Sequence, residues 1–247
     1  MTIFAVVSAN GGSGRSTVTA TLASLLARRG REVLALDLDP RNALGLQLGL
    51  PLSEADGWAV RAMRAEGWNQ AAFRNSDGAH LLPFGGMALD EISALEDRLS
   101  ADRGWLRQRL AELALAPDSV VLIDTPRLPS QMARQAIEAA QVVINVMTAD
   151  AASYAGLALV RAAAGNRPLV HVVNQVEATH SLQGDVLQLL PACADHAVGR
   201  LRGEGAGVGR GVGDGDESRG QGSRREANPA AGPAGAGRDR RHLARHR

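Results

Sequence analysis

The residues with the clearest chemistry come early in the chain. Asn10 to Thr17 read NGGSGRST, directly after the apolar run MTIFAVVSA. The glycine spacing is that of a phosphate-binding loop, G-x-x-x-x-G-K-[ST], or of its variant with a second lysine upstream, K-G-G-x-G-K-[ST]. Gly11, Gly12 and Gly14 let the backbone curl so that successive N–H groups converge on phosphate oxygens. A helix opening at Ser16 would add the positive end of its dipole. Ser16 stands where a hydroxyl ligates Mg²⁺, and Ser13 and Thr17 complete the candidate loop. Both lysine positions are changed. Asn10 is neutral and short, while Arg15 keeps the charge on a longer, planar fork.

Further along, VLALDLDPRN places Asp37 and Asp39 two apart at the carboxyl end of an apolar run, so both can face one side. Such a pair can hold Mg²⁺, here through Asp37, or orient an attacking water, here through Asp39. A plain turn at Asp39-Pro40 is the other reading. In SVVLIDTP, Asp124 ends a second apolar run, where an aspartate binds Mg²⁺ in phosphate-loop proteins, and Thr125-Pro126 begin a loop that could sense a terminal phosphate. The order of these features carries more information than any one of them. In LVHVVNQ, Asn174 stands at a strand end, where its amide could pair with an adenine edge or cap a turn.

These groups need a sheet to position them. Through about residue 190, short β-branched runs alternate with longer helical patterns, the signature of βαβ units on a parallel sheet. Strands are expected at 3–8, 32–37, 80–84, 119–124, 141–147 and 169–174, nearly all continuous apolar runs suited to burial on both faces. Helices are expected at 16–30, closed by Gly30, at 181–190, and over 88–114. The last would carry an apolar stripe of Leu95, Leu99, Trp105, Leu106, Leu110 and Leu113, interrupted at Gly104. The fold class is therefore α/β, a mostly parallel sheet with helices on both faces.

Composition sets limits. The chain has 247 residues, 45% hydrophobic, with net charge +1, so nothing global demands nucleic acid, a membrane or a polyanion. Cys193 is the single cysteine, which excludes an internal disulfide framework and points to the cytoplasm. There is no lysine in the chain, and with so much Ala, Gly and Arg this suggests a GC-rich genome. No apolar run reaches the ~18 residues of a spanning helix, and no charged segment precedes the first run, so neither a signal peptide nor direct membrane insertion is expected. From about residue 201 the chain turns to Gly, Arg, Ala and Pro without aromatics. Such a segment cannot bury enough surface to offset its ordering entropy, so 1–200 is expected to be the nucleotide-binding domain and 201–247 a disordered tail. Natural shortening or a frame slip in a GC-rich gene would each produce that tail.

Together the loop, the acidic pair and Asp124 resemble the ParA/MinD group of deviant P-loop ATPases. Within it, GWAVRAMRAEGWNQAAFRNSDGAHLLPFG (57–85) resembles the cellulose-biosynthesis BcsQ/YhjQ family, which has a similar G-W-A…W…LLPFG stretch. Read physically, Trp58, Trp68 and Phe84 are core or subunit-contact aromatics. The resemblance covers about Met1 to Leu190 and implies the ParA/MinD type of P-loop fold, with ATP and Mg²⁺ as cofactors and two nucleotides sandwiched in a homodimer. It further implies a cytoplasmic protein recruited to the inner face of the cell membrane, working with accessory subunits of the cellulose synthase complex. Carried over by position, Gly11, Gly12, Gly14, Arg15, Ser16 and Thr17 form the loop, Asp39 orients the water and Asp124 serves the metal. In the wider group the upstream lysine crosses to the partner's phosphates, which Asn10 cannot do, so nucleotide binding with weak or absent hydrolysis is expected. A ParA-like DNA-partitioning ATPase is the alternative. A membrane-bound MinD-like switch lacks its basic amphipathic helix, and an iron–sulfur protein of this fold would need paired cysteines.

Overall fold

The computed structural model describes residues 1–177, 181–193 and 198–202, all within one compact unit, Met1–Gly205. The tail expected beyond residue 201 lies almost wholly outside the described residues. Among the described residues, eight strands form one sheet: β1 (Thr2–Val7), β2 (Val33–Asp37), β3 (Phe73–Arg74), β4 (His80–Leu82), β5 (Val120–Asp124), β6 (Val142–Thr148), β7 (Leu169–Val176) and β8 (Val198–Arg202). Their spatial order is β3-β4-β2-β5-β1-β6-β7-β8, and every pairing is parallel except β3 with β4 at one edge.

Strands β2 and β5 are buried at every position, which is why they read as unbroken apolar runs. They lie side by side in a register that sets Asp37 opposite Asp124. Helix α1 (Arg15–Arg28) follows β1 directly and turns Ala20 and Ala23 onto the sheet. After β2 come two short helices, α2 (Ala43–Gln47) and α3 (Trp58–Met63). The long region expected over 88–114 is two helices, α4 (Leu89–Ala101) and α5 (Trp105–Ala111), parted at Gly104 as the sequence implied. Leu95, Leu99, Trp105, Leu106 and Leu110 are all buried in the main core. Helix α6 (Gln131–Ala139) starts at Ser130, whose hydroxyl accepts from the Ala133 amide. Helices α7 (Ala151–Ala155), α8 (Leu157–Ala164) and α9 (Ser181–Cys193) follow. None of the helices among the described residues is long and apolar enough to cross a membrane.

Two strands escape the sequence reading. β3 has only two residues and covers the outer edge of β4. β8 corrects the expectation that only a helix follows Asn174 before the tail: Val198 to Arg202 pair in parallel with β7, matching His171 to Val198 and Val173 to Arg200. Its sequence, VGRLR, carries two arginines in five residues and so lacks the apolar run that marks a buried strand.

Trp58, Trp68, Trp105 and Phe84 form a single aromatic cluster with ring centroids 5.2–6.0 Å apart. The aromatics of the 57–85 stretch are thus core residues within one chain. The two ends of that stretch touch. Trp58 and Ala59 donate their backbone amides to the Pro83 and Phe84 carbonyls at 3.0 and 3.1 Å. A Cβ on Gly57 would lie 2.3 Å from the Gly85 nitrogen and the Phe84 oxygen, so no side chain fits there.

Candidate nucleotide site

The loop between β1 and α1 has the geometry its glycines permit. Gly12 and Gly14 take φ of 75° and 88°, left-handed values that an L side chain resists. Gly14 caps α1 with no side-chain hydrogen bond, which leaves the first helical N–H groups facing the loop. The loop also lines an open cleft of about 320 Å³, together with Arg41, Ala43, Gln47 and Gln175.

The candidate metal groups meet at the foot of the loop. The Ser16 hydroxyl donates to Asp124 Oδ2 at 2.6 Å. Asp124 Oδ1 is buried and lacks a hydrogen-bond partner. A serine hydroxyl beside a carboxylate with a spare oxygen is a hard-oxygen donor set that suits Mg²⁺. Burial raises the Asp124 carboxyl to about 6, partly offset by the Ser16 hydrogen bond and the Arg15 charge. Asp37 is also fully buried, and burial together with the Asp124 charge raises its pKa well above the carboxylate range. Both its oxygens are already taken, by the amides of Asp39 at 2.9 Å and Leu44 at 3.1 Å. Asp37 therefore holds the turn after β2, with Asp124 as the carboxylate nearest the loop hydroxyl. Thr125 turns inward, its hydroxyl donating to the Val6 carbonyl at 2.8 Å.

Asp39 lies between two arginines. Arg41 grips it with both arms of its fork, Nε to Oδ1 at 3.0 Å and Nη2 to Oδ2 at 2.7 Å. Arg15 Nη2 stands 3.7 Å from the same Oδ2. The Arg15 side chain is 4% exposed and also donates to the Asn10 carbonyl at 3.4 Å, so its guanidinium lies beneath the loop. Burial lowers its pKa, while the charges of Asp124 and Asp39 oppose that shift. The Asn10 amide points inward as well, donating to the Ser153 hydroxyl at 3.2 Å. Ser153 belongs to a small network with Thr148 and Asp150 at the start of α7.

Asn174 is placed against the loop itself, with Nδ2 donating to the Ser13 carbonyl at 3.0 Å. Gln175, at φ 57°, adds a weaker contact to the Gly12 carbonyl at 3.4 Å. The structure thus gathers Gly11 to Thr17, Asp37, Asp39, Asp124 and Asn174 around one end of the sheet. Sequence reasoning assigns no role to Arg41 or Gln175. Arg41 stands two residues after Asp39, a spacing that allows a local bidentate pair; nothing in the sequence marks Ser153 as the partner of Asn10.

A second layer fixes the turn after β2. Trp58 Nε1 donates to the Asp37 carbonyl at 2.7 Å. Asn42, itself left-handed at φ 51°, exchanges two hydrogen bonds with the Gly85 backbone, at 2.9 and 3.1 Å. The GWA…PFG stretch is thus the buttress of the acidic wall.

Comparison with known proteins accords with this geometry. The family model described as cellulose biosynthesis protein BcsQ matches residues 1–198. The cellulose biosynthesis protein BcsQ of Escherichia coli is 30% identical over 154 residues, 61% of this chain and 60% of that protein, so the chain spans about three fifths of that relative. The maintenance of carboxysome distribution protein A of Synechococcus elongatus is 31% identical over 193 residues, 74% of this chain and 69% of that protein. Among solved structures, cobyrinic acid a,c-diamide synthase from Mycobacterium smegmatis with bound ATP analog and magnesium superposes with a TM-score of 0.70 at 22% identity, over 79% of this chain and 84% of that one. A plasmid partition protein from Borrelia burgdorferi gives 0.65 at 18%, over 81% and 89%. At these identities the structural likeness concerns the fold alone. The chain has the P-loop fold of the ParA/MinD type, and it belongs to the cellulose biosynthesis protein BcsQ family.

Proposed function

We propose that residues 1–200 form an ATP- and Mg²⁺-binding domain that supports bacterial cellulose synthesis as an accessory protein, with weak or absent hydrolysis. The observation that carries the nucleotide reading is the Ser16–Asp124 pair at 2.6 Å beneath a left-handed glycine loop, with a spare buried carboxylate oxygen beside it. Gly11 to Thr17 would hold the phosphates, and Ser16 and Asp124 would hold the metal. Bound there, Mg²⁺ would neutralise phosphate charge as a Lewis acid. The solved neighbour that carries an ATP analog and magnesium supports the same ligand pair for this fold. The cellulose role rests on the family match.

Weak hydrolysis follows from two placements. Both oxygens of Asp39 are engaged by Arg41, which leaves this carboxylate poorly placed to orient a water. Asn10 is turned toward Ser153 in its own chain and carries no charge to a partner's phosphates. In this reading the protein is a homodimer in the cytoplasm, brought to the inner face of the membrane by other subunits of the synthase. The alternative, a DNA-partitioning ATPase, draws on the 29% identity over 154 residues to the chromosome-partitioning ATPase Soj of Thermus thermophilus. Salt-dependent binding to non-specific DNA would favour it.

Calorimetry with ATP and ADP in the presence of Mg²⁺, with phosphate release followed on the same sample, tests the proposal. Binding with negligible turnover is expected. Rapid turnover would restore a switch mechanism, and no binding would remove the nucleotide reading.

A further inference from the structure

The cleft over the phosphate loop is lined by two cations, Arg15 and Arg41, which differ in one decisive respect. The Arg15 side chain is 4% exposed, and the Arg41 side chain is 67% exposed. Arg15 is held from below by Asp39 and the Asn10 carbonyl. Arg41 is tied to Asp39 alone, through a bidentate contact that a phosphate group can match atom for atom. Asp39 does not depend on Arg41 for charge compensation, because Arg15 remains 3.7 Å from its Oδ2. Arg41 can therefore leave without stranding a buried carboxylate, the step that would otherwise carry the largest cost.

We propose that Arg41 is a transferable clamp, which exchanges Asp39 for the terminal phosphate of a bound nucleoside triphosphate. It supplies from the same subunit the positive charge that Asn10 does not carry. Resting on the reading of Gly11 to Thr17 as an ATP site, this assigns the triphosphate-selective contact to a residue outside the loop. When the guanidinium moves to phosphate, Asp39 stays engaged, its Oδ1 by the Arg41 backbone amide at 3.1 Å and its Oδ2 by Arg15 at 3.7 Å.

The test is the ratio of ATP to ADP affinity, measured by calorimetry with Mg²⁺ on the full chain, for the wild type, Arg41→Gln and Arg41→Lys. Because the side chain is largely solvated, the unfolding temperature should stay near wild type. Arg41→Gln is expected to weaken ATP binding about tenfold, the scale of one charge-assisted contact, and to leave ADP binding almost unchanged. Arg41→Lys should recover part of the ATP preference. Equal loss for both nucleotides, or no loss for either, would overturn the clamp while leaving the nucleotide site intact. A wild type that binds neither nucleotide would overturn the site reading and the clamp with it.

Discussion

The phosphate loop stands between two walls of unlike construction. On the β2 side, Asp37 is fixed by two backbone amides, its own carbonyl is held by Trp58, and the turn that follows is tied by Asn42 to Gly85. On the β7 side, the loop rests on two side-chain amides, Asn174 and Gln175, which reach the carbonyls of Ser13 and Gly12. The first wall is built from buried backbone contacts backed by an aromatic cluster. The second is built from single hydrogen bonds at a strand end. Buried carboxyl groups need the stiffer support, since small displacements there change solvation and pairing together. The loop carbonyls ask less, because water can replace a lost amide donor.

The sharpest way to break the contrast is at Gly57. Its backbone is extended, so conformation is no obstacle to a side chain. Space is the obstacle: a Cβ would sit 2.3 Å from the Gly85 nitrogen and the Phe84 oxygen. Gly57→Ala must push two backbone segments apart and should cost ~3 kcal/mol or more, read as a fall in the denaturant midpoint. The push would also disturb Trp58 and its hold on the Asp37 carbonyl. Gly67 provides the control, because a Cβ there would meet nothing within 4 Å. Gly67→Ala should leave stability close to wild type. A mild effect at Gly57 would show that the acidic wall is softer than its contacts imply.

The next test asks what the acidic wall costs the fold. Asp124 titrates near 6 in the folded chain, above its ordinary value of 3.8, so the native state binds more protons than the unfolded state between those values. The stability from that proton is fully present below about pH 4 and is lost as pH rises through about 6, a change of ~3 kcal/mol at most. Asp37 faces Asp124 across the strands and shares in the titration, which reduces the observed share. Asp124→Asn mimics the protonated acid. Without nucleotide or Mg²⁺ it should be ~2 kcal/mol more stable than wild type at pH 7.5, with the gain fading toward pH 4. Mg²⁺-dependent nucleotide binding should be lost in the same variant. Denaturant titrations at the two pH values check the first claim and calorimetry checks the second. No gain at pH 7.5 would mean that the buried pair carries less strain than its burial suggests.

The two walls are unequally legible in the sequence. Asp37, Asp39 and Asp124 stand out because each lies at the end of an apolar run that becomes a buried strand of the expected sheet. The loop stands out because its glycine spacing encodes a left-handed path, and Gly12 and Gly14 follow it. The buttress is visible only as a family likeness, since nothing in GWA…LLPFG announces that its two ends touch. That contact arises when α3 packs against the end of β4. Side-chain direction is the main loss. Arg15 goes under the loop and Asn10 toward Ser153, outcomes set by the local balance of burial and partners. β8 escapes notice because a strand bearing two arginines does not show the pattern of a buried one.

The smallest effect is expected on the β7 side. Asn174 donates one hydrogen bond to Ser13, and its amide lies where a Cβ on Gly14 would fall, 2.2 Å away. The amide thus both supports the loop and fills the space beside its most constrained glycine. Asn174→Ala removes a part-buried contact whose acceptor can turn to solvent, so the expected loss is ~1 kcal/mol of stability. If the amide serves only the loop, affinity for ATP and ADP should fall together, because both place phosphates on the same backbone groups. If it instead reads the adenine edge, Asn174→Ala should reduce the preference for ATP over GTP while stability hardly changes. Measuring ATP, ADP and GTP binding beside the unfolding midpoint separates the two roles, because a loop prop moves stability and a base contact moves selectivity.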